Sequence, residues 1–207
     1  MFNVTNVSSF RGRPVEKPEI VPEKTVAILG SSKETLQNKL YIDMARDMGK
    51  ELASRGYNVV TGGNYGTMKA ANDGAWEADP SKSWAVNVTE WIDDHKEKIF
   101  NVLAEVKTGA ARTDLFKEIA KYWVVFPGGP GSLQELAVGG ESKYYNAEHA
   151  PEKIILVGKK FHKPLFDYLK NMDQFGVAKN AASSYILADT KEEILSEITG
   201  QKLNLVA

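Results

Sequence analysis

From Thr25 onward, short runs that are apolar at every position alternate with longer stretches in which apolar residues return at helical spacing. Thr25-Val26-Ala27-Ile28-Leu29 is continuously apolar and stops at Gly30, the pattern of a strand buried on both faces. Behind it, Leu36, Leu40, Met44, Met48 and Leu52 recur at four-residue steps and predict a single helix ending near Gly56. The pattern then predicts a strand over 58–61, an Ala-rich helix over 65–78, strands over 84–88 and 102–106, a helix over 113–120, and a strand over 122–126. A helix from Gly131 to about Val138, a strand over 153–157, a helix over 164–172, a strand over 184–187 and a helix over 191–198 complete the series. Such alternation implies right-handed βαβ crossovers, so the expected fold is α/β: a Rossmann-like parallel sheet of about seven strands with helices on both faces. The expected organisation is one domain over 25–207 behind an extended arm over 1–24, where Pro14, Pro18 and Pro22 prevent helix. That arm is either disordered or packed across a subunit interface, with Val4, Val7, Phe10 and Ile20 as its anchors.

Charge and cysteine content narrow the ligands. With 26 basic and 27 acidic residues the net charge is -1, which gives no long-range field to hold DNA, RNA or an anionic membrane. No nucleic-acid partner and no membrane contact are expected. The count of 0 cysteines removes disulfides, thiolate nucleophiles and cysteine zinc sites together. His95, His149 and His162 stand at no metal-motif spacing and read as surface or loop residues, so no metal site is expected. No apolar run of signal-peptide length opens the chain, and nowhere do ~18 apolar residues run together; the expected location is cytoplasmic.

In parallel sheets ligands bind beyond the carboxyl ends of the strands, where loops meet helix N-termini. Three glycine-bearing turns follow predicted strands: Gly30-Ser31-Ser32, Gly62-Gly63-Asn64-Tyr65-Gly66, and Pro127-Gly128-Gly129-Pro130-Gly131-Ser132. The third carries the strongest signal. Gly128, Gly129 and Gly131 let backbone approach a ligand closely, Ser132 adds a hydroxyl, and unpaired amides at a helix start suit a phosphate. Glu135 follows Ser132 by three residues, which fits two roles: a capping-box partner that reaches back to the cap amide, or a carboxylate one helical turn above a bound phosphate. The dinucleotide fingerprint G-x-G-x-x-G is missing after the first strand, and no acidic residue follows the second, which ends in Thr61-Gly62-Gly63. No lysine stands beside a hydroxyl residue after the glycines, as a phosphate-binding loop of ATPases requires.

Pro127-Gly128-Gly129-Pro130-Gly131-Ser132-Leu133-Gln134-Glu135 resembles the P-G-G-x-G-T-x-x-E signature of the Lonely Guy family of nucleoside 5'-monophosphate phosphoribohydrolases, with Ser for Thr. Arg112-Thr113 stands where that family has Arg-Lys, Gly62-Gly63-Asn64-Tyr65-Gly66-Thr67-Met68 is similar to its G-G-G-x-x-G-L-M, and Gly30-Ser31-Ser32 to its C-G-S-S turn. The resemblance implies a homodimer that hydrolyses the N-glycosidic bond of an AMP-like or cytokinin riboside monophosphate to free base and ribose 5-phosphate. Arg112 and Glu135 would be the catalytic pair, and Gly30, Ser31, Gly62, Gly63, Met68, Gly128, Gly129, Gly131 and Ser132 would hold phosphate and ribose, with no metal or organic cofactor. Three departures accompany it: Thr113 for Lys, Thr61 for the first Gly of the upstream loop, and Gly139-Gly140 within the helix after the signature. Molybdenum-cofactor carrier proteins also resemble this fold, so a non-catalytic nucleotide or cofactor carrier is the alternative expectation.

Overall fold

The computed structural model describes residues 20–91 and 99–201. The runs apolar at successive positions become strands β1 (Thr25–Leu29), β2 (Asn58–Thr61), β3 (Ser83–Val88), β4 (Asn101–Val106), β5 (Tyr122–Val125), β6 (Lys153–Val157) and β7 (Ile186–Ala188). Helices α1 (Lys39–Ser54), α2 (Thr67–Ala78), α3 (Gly109–Ile119), α4 (Pro130–Tyr144), α5 (Lys159–Gln174) and α6 (Lys191–Thr199) lie between and after them. The strands form one sheet in the order β4-β3-β2-β1-β5-β6-β7 with every pairing parallel. This is the Rossmann-like sheet expected from the alternation.

Because side chains alternate across a strand, β1 feeds both faces. Val26 and Ile28 join Met48 and Leu52 of α1, Ala71 and Ala75 of α2, and Ile194 and Ile198 of α6. Ala27 and Leu29 join Phe116 of α3, Leu136 of α4 and Leu169 of α5, together with Trp84 and Trp123. On the first face α1 and α2 pack backbone to backbone: a Cβ on Gly49 would overlap the carbonyl of Ala71, and one on Gly74 the carbonyl of Arg46. On the second face the adjacent glycines of α4 are packing sites, and the helix runs straight through them. A Cβ on Gly139 would lie 2.7 Å from the Trp123 indole, and one on Gly140 would overlap the hydroxyl of Tyr185, which donates to Leu136 O at 2.9 Å.

Several boundaries differ from the sequence reading, each for a physical reason. Leu36 is 90% exposed, and Leu40 is exposed too. Leu36 lies before α1, in a 3-10 turn over Leu36–Asn38. From Leu40 to Leu52 within α1 the four-residue steps overshoot a 3.6-residue turn, so the stripe drifts by about 120° and Leu40 turns away from the core. α3 starts earlier than expected, at a cap where the Thr108 hydroxyl accepts from Ala111 N–H. α5 begins at left-handed Gly158 and tolerates Pro164 in its first turns. His162 is not a surface residue; it is buried on α5, with Nε2 unpartnered among the described residues, whereas His149 is exposed. His95 and the arm residues Val4, Val7 and Phe10 lie outside the described residues, and Ile20 packs partly buried against the α3–α5 face. No helix among the described residues is long and apolar enough to cross a membrane.

Burial lowers the pKa of His162 to about 4, against a contact to the Val125 carbonyl that raises it. In the unfolded chain the ring protonates near ~6.5. The unfolded state therefore takes up this proton first, and stability should fall as pH drops from about 6.5 toward 4. Urea melts across that range should show the slope, and His162→Gln should flatten it.

Candidate functional site

The strand order reverses between β1 and β5, and the loops meet beyond the carboxyl ends of these strands, where ligands bind in open parallel sheets. The loops are laced together. Phe126 N–H donates to Leu29 O at 2.9 Å, Ser31 N–H to Pro127 O at 3.1 Å, and Thr67 N–H to Ser31 O at 3.0 Å, joining the turns after β5, β1 and β2. Glycine is required where they touch. Gly66 has φ 62°, and a Cβ there would overlap the Ser31 carbonyl; a Cβ on Gly30 would lie 3.0 Å from Thr67 Cγ2.

The β2 loop carries its own anchor. Thr61, which replaces a glycine of the resembled signature, donates its hydroxyl to Asn72 Oδ1 and accepts from Gly63 N–H at 3.0 Å, while Asn72 Nδ2 donates to Ser83 Oγ at 3.0 Å. This buried network sets Gly62 and Gly63 on the rim. A Cβ on Gly62 would lie 2.6 Å from Arg112 Nη1 and 3.0 Å from Met68 Sδ, and one on Gly63 would overlap Asn87 Oδ1. That Asn87 oxygen is buried and unpartnered among the described residues.

At the third turn, α4 begins with Gly129 as N-cap and Pro130 as its first residue, and no side chain caps it. Ser132 is the third helical residue, so the capping box expected of Ser132 and Glu135 is absent. Its hydroxyl faces the backbone of Gly128, where a Cβ would overlap it. Gly129 and Gly131 differ from the other rim glycines: a Cβ on either meets nothing within 4 Å, and neither has a positive φ. Both glycines are exposed at the positive end of a fifteen-residue helix, whereas Ser132 behind them is buried.

Glu135 turns instead to Arg112. Arg112 Nη2 donates to Glu135 Oε1 at 3.1 Å, and Nη1 reaches Gly62 O at 3.4 Å. Both side chains are buried, Arg112 at 8% and Glu135 at 4% exposure. The guanidinium lies 5.3 Å from the centre of the Trp91 ring and 5.9 Å from that of Phe116, and its Nε is unpartnered among the described residues. Burial pushes the Glu135 carboxyl above the ordinary carboxylate range, with Arg112 opposing the shift. Thr113 bonds back to Gly109 O at 3.0 Å, so the hydroxyl that stands for the resembled lysine serves its own helix.

The structure thus brings together every residue singled out in the sequence: Gly30, Ser31, Gly62, Gly63, Met68, Arg112, Gly128, Gly129, Gly131, Ser132 and Glu135 share one rim. Sequence reading missed Trp91, Asn87 and Gly109. Trp91 and Asn87 sit at the end of β3, whose loop has no glycine to mark it, and Gly109 opens α3 where a Cβ would lie 2.6 Å from the Trp91 ring.

Solved structures share this fold. A molybdenum cofactor binding protein from the phototrophic bacterium Rippkaea orientalis is 20% identical with a TM-score of 0.58, covering 85% of this chain and 95% of that one. The molybdenum cofactor carrier protein of Chlamydomonas reinhardtii is 22% identical with a TM-score of 0.57, over 85% and 96% of the two chains. DNA processing protein A from Helicobacter pylori is 15% identical with a TM-score of 0.56, over 86% and 81%. No curated protein matches this chain. The model of the SLOG cluster4 family matches residues 23–174, from just before β1 to the last residue of α5, and the Lonely Guy likeness of the turn after β5 agrees with that assignment. Rim, sheet and family model coincide over most of the sequence, and the chain belongs to the SLOG cluster4 family.

Proposed function

We propose that this rim holds the 5'-phosphate of a nucleoside monophosphate on the N-terminus of α4, and that the chain hydrolyses the N-glycosidic bond of that ligand. The observation that carries the reading is the buried Arg112–Glu135 pair, whose carboxylate stands in the second turn of α4 behind the exposed Gly129 and Gly131 at its N-terminus. Gly129 and Gly131 have no steric reason within the protein to be glycine; close approach of a ligand supplies one. In the reaction water adds to C1' of the ribose as the C1'–N bond breaks; the base leaves with the bonding electron pair and takes up the proton the water releases. Positive charge builds on the ribose, and the Glu135 carboxylate stabilises it and orients the water while Arg112 fixes the carboxylate. A net charge of -1 supports a small anionic ligand over a nucleic acid.

A second reading, a non-catalytic carrier of a phosphorylated cofactor, is favoured by Thr113. With its hydroxyl turned to Gly109 O, Arg112 stands without the second cation of the resembled pair. Incubation with a panel of purine and pyrimidine nucleoside monophosphates, followed by chromatography, separates the two. Release of free base and ribose 5-phosphate from at least one member is expected. Tight binding across the panel with no base released would replace hydrolysis by the carrier role.

A further inference from the structure

We propose that Trp91 is the stacking platform for the base of the bound nucleotide, an inference that rests on the nucleoside monophosphate reading above. Trp91 closes the 3-10 turn Thr89–Trp91 directly after β3 and is 51% exposed, whereas Trp84 and Trp123 are fully buried in the core. Its exposure is not that of a loose surface residue. The Arg112 guanidinium lies 5.3 Å from the ring centre, and the ring edge fits into the space left by Gly109, where a Cβ would be 2.6 Å from Cη2. The indole is therefore held beside the Arg112–Glu135 pair with much of its surface open. A ribose placed for attack at C1' beside Glu135 carries its base one bond away, and the base needs an apolar, flat neighbour once it leaves water. The indole is the exposed aromatic ring in contact with Arg112, and its large π-face suits a purine.

The alternative role for this ring is to position Arg112 alone, and a ligand pair separates the two. Adenosine 5'-monophosphate and ribose 5-phosphate share the phosphate and sugar and differ in the base. Their binding to the full chain, and to its Trp91→Leu and Trp91→Phe variants, is read by stopped-flow fluorescence and competition before turnover. Trp91→Leu should weaken adenosine 5'-monophosphate by ~10-fold or more, as loss of an aromatic stacking partner does, and leave ribose 5-phosphate unchanged within about twofold. Trp91→Phe should retain most of the affinity, and only the base-bearing ligand should quench the Trp91 emission. Equal losses for both ligands would overturn the platform and leave Trp91 a positioning residue for Arg112. No change for either would place the base elsewhere. Failure of both ligands to bind the unaltered chain would overturn the nucleotide reading itself, and the platform with it.

Discussion

Replacing Glu135 by Gln should lower base release from the best nucleoside monophosphate by ~10²-fold or more while the protein stays folded. The variant keeps the shape of the side chain and an oxygen for Arg112 Nη2, now 3.1 Å from Glu135 Oε1, so what disappears is the charge. In dry surroundings that charge acts on a developing ribose cation far more strongly than it would in water. Glu135 takes no part in capping α4, whose N-cap is Gly129 without a side-chain bond, so no cap is lost and any fall in melting temperature comes from leaving the buried Arg112 guanidinium without its counter-charge. The ionised carboxylate is the working form, and its pKa is raised from the ordinary 4.5 by burial. Turnover should therefore rise with pH along an acid limb that lies above that value. Arg112→Gln removes the one neighbour that lowers the pKa and should shift the limb further up. Initial rates at saturating substrate, taken with thermal melts, check both statements; unchanged turnover in Glu135→Gln would remove this residue from the chemistry.

Adding one methyl group at Gly74 should destabilise the fold by about 3 kcal/mol, at the upper end of what overpacking does. Helix propensity argues the other way, since Ala is favoured over Gly in a helix interior by ~1 kcal/mol. Contact decides the sign. The new Cβ would overlap the carbonyl of Arg46, and main chain in the middle of α1 cannot swing aside as a side-chain tip would. Gly49 makes the reciprocal approach to the Ala71 carbonyl, so moving the helices apart to relieve the clash at Gly74 would open this second close contact as well. For a chain of this size ~3 kcal/mol corresponds to a fall of roughly 6–12 °C in melting temperature. Scanning calorimetry of Gly74→Ala, with Ser54→Ala at the exposed end of α1 as a control, reads the effect. A melting point at or above that of the unaltered chain would show that α1 and α2 can separate at low cost.

The site was legible where chemistry and backbone geometry leave the same mark. A run such as Pro127-Gly128-Gly129-Pro130-Gly131-Ser132 after an apolar strand announces a loop that approaches a ligand, and the loop lies at the switch between β1 and β5. Arg112 was legible through the likeness of its surroundings. Glu135 left two roles open in the sequence, capping or ligand contact, because spacing along a helix cannot say which way a carboxylate turns; the salt bridge to Arg112 decides against the cap. Trp91 carried no signal, since an aromatic after a strand is as often core as rim, and only the approach of Gly109 and Arg112 distinguishes it. The helix bounds failed where one residue type serves two purposes. Pro164 suggested a helix start and lies inside α5, and Gly139-Gly140 suggested a weak point in α4 and mark instead the places where Trp123 and Tyr185 press against it.

The strand order has a consequence for how the protein comes into being. β1 is made before both of its neighbours and pairs with β2 on one side and β5 on the other. As the chain emerges from the ribosome, β2 follows promptly, but the other edge of β1 stays open until Tyr122–Val125 has been synthesised. Until then Val26 to Leu29 present an unpaired, fully apolar edge, the kind that invites pairing with another chain. The switch in strand order at which the loops meet in the finished sheet is thus also the seam that closes late, and nascent chains stalled before β5 should be the species that most need a chaperone.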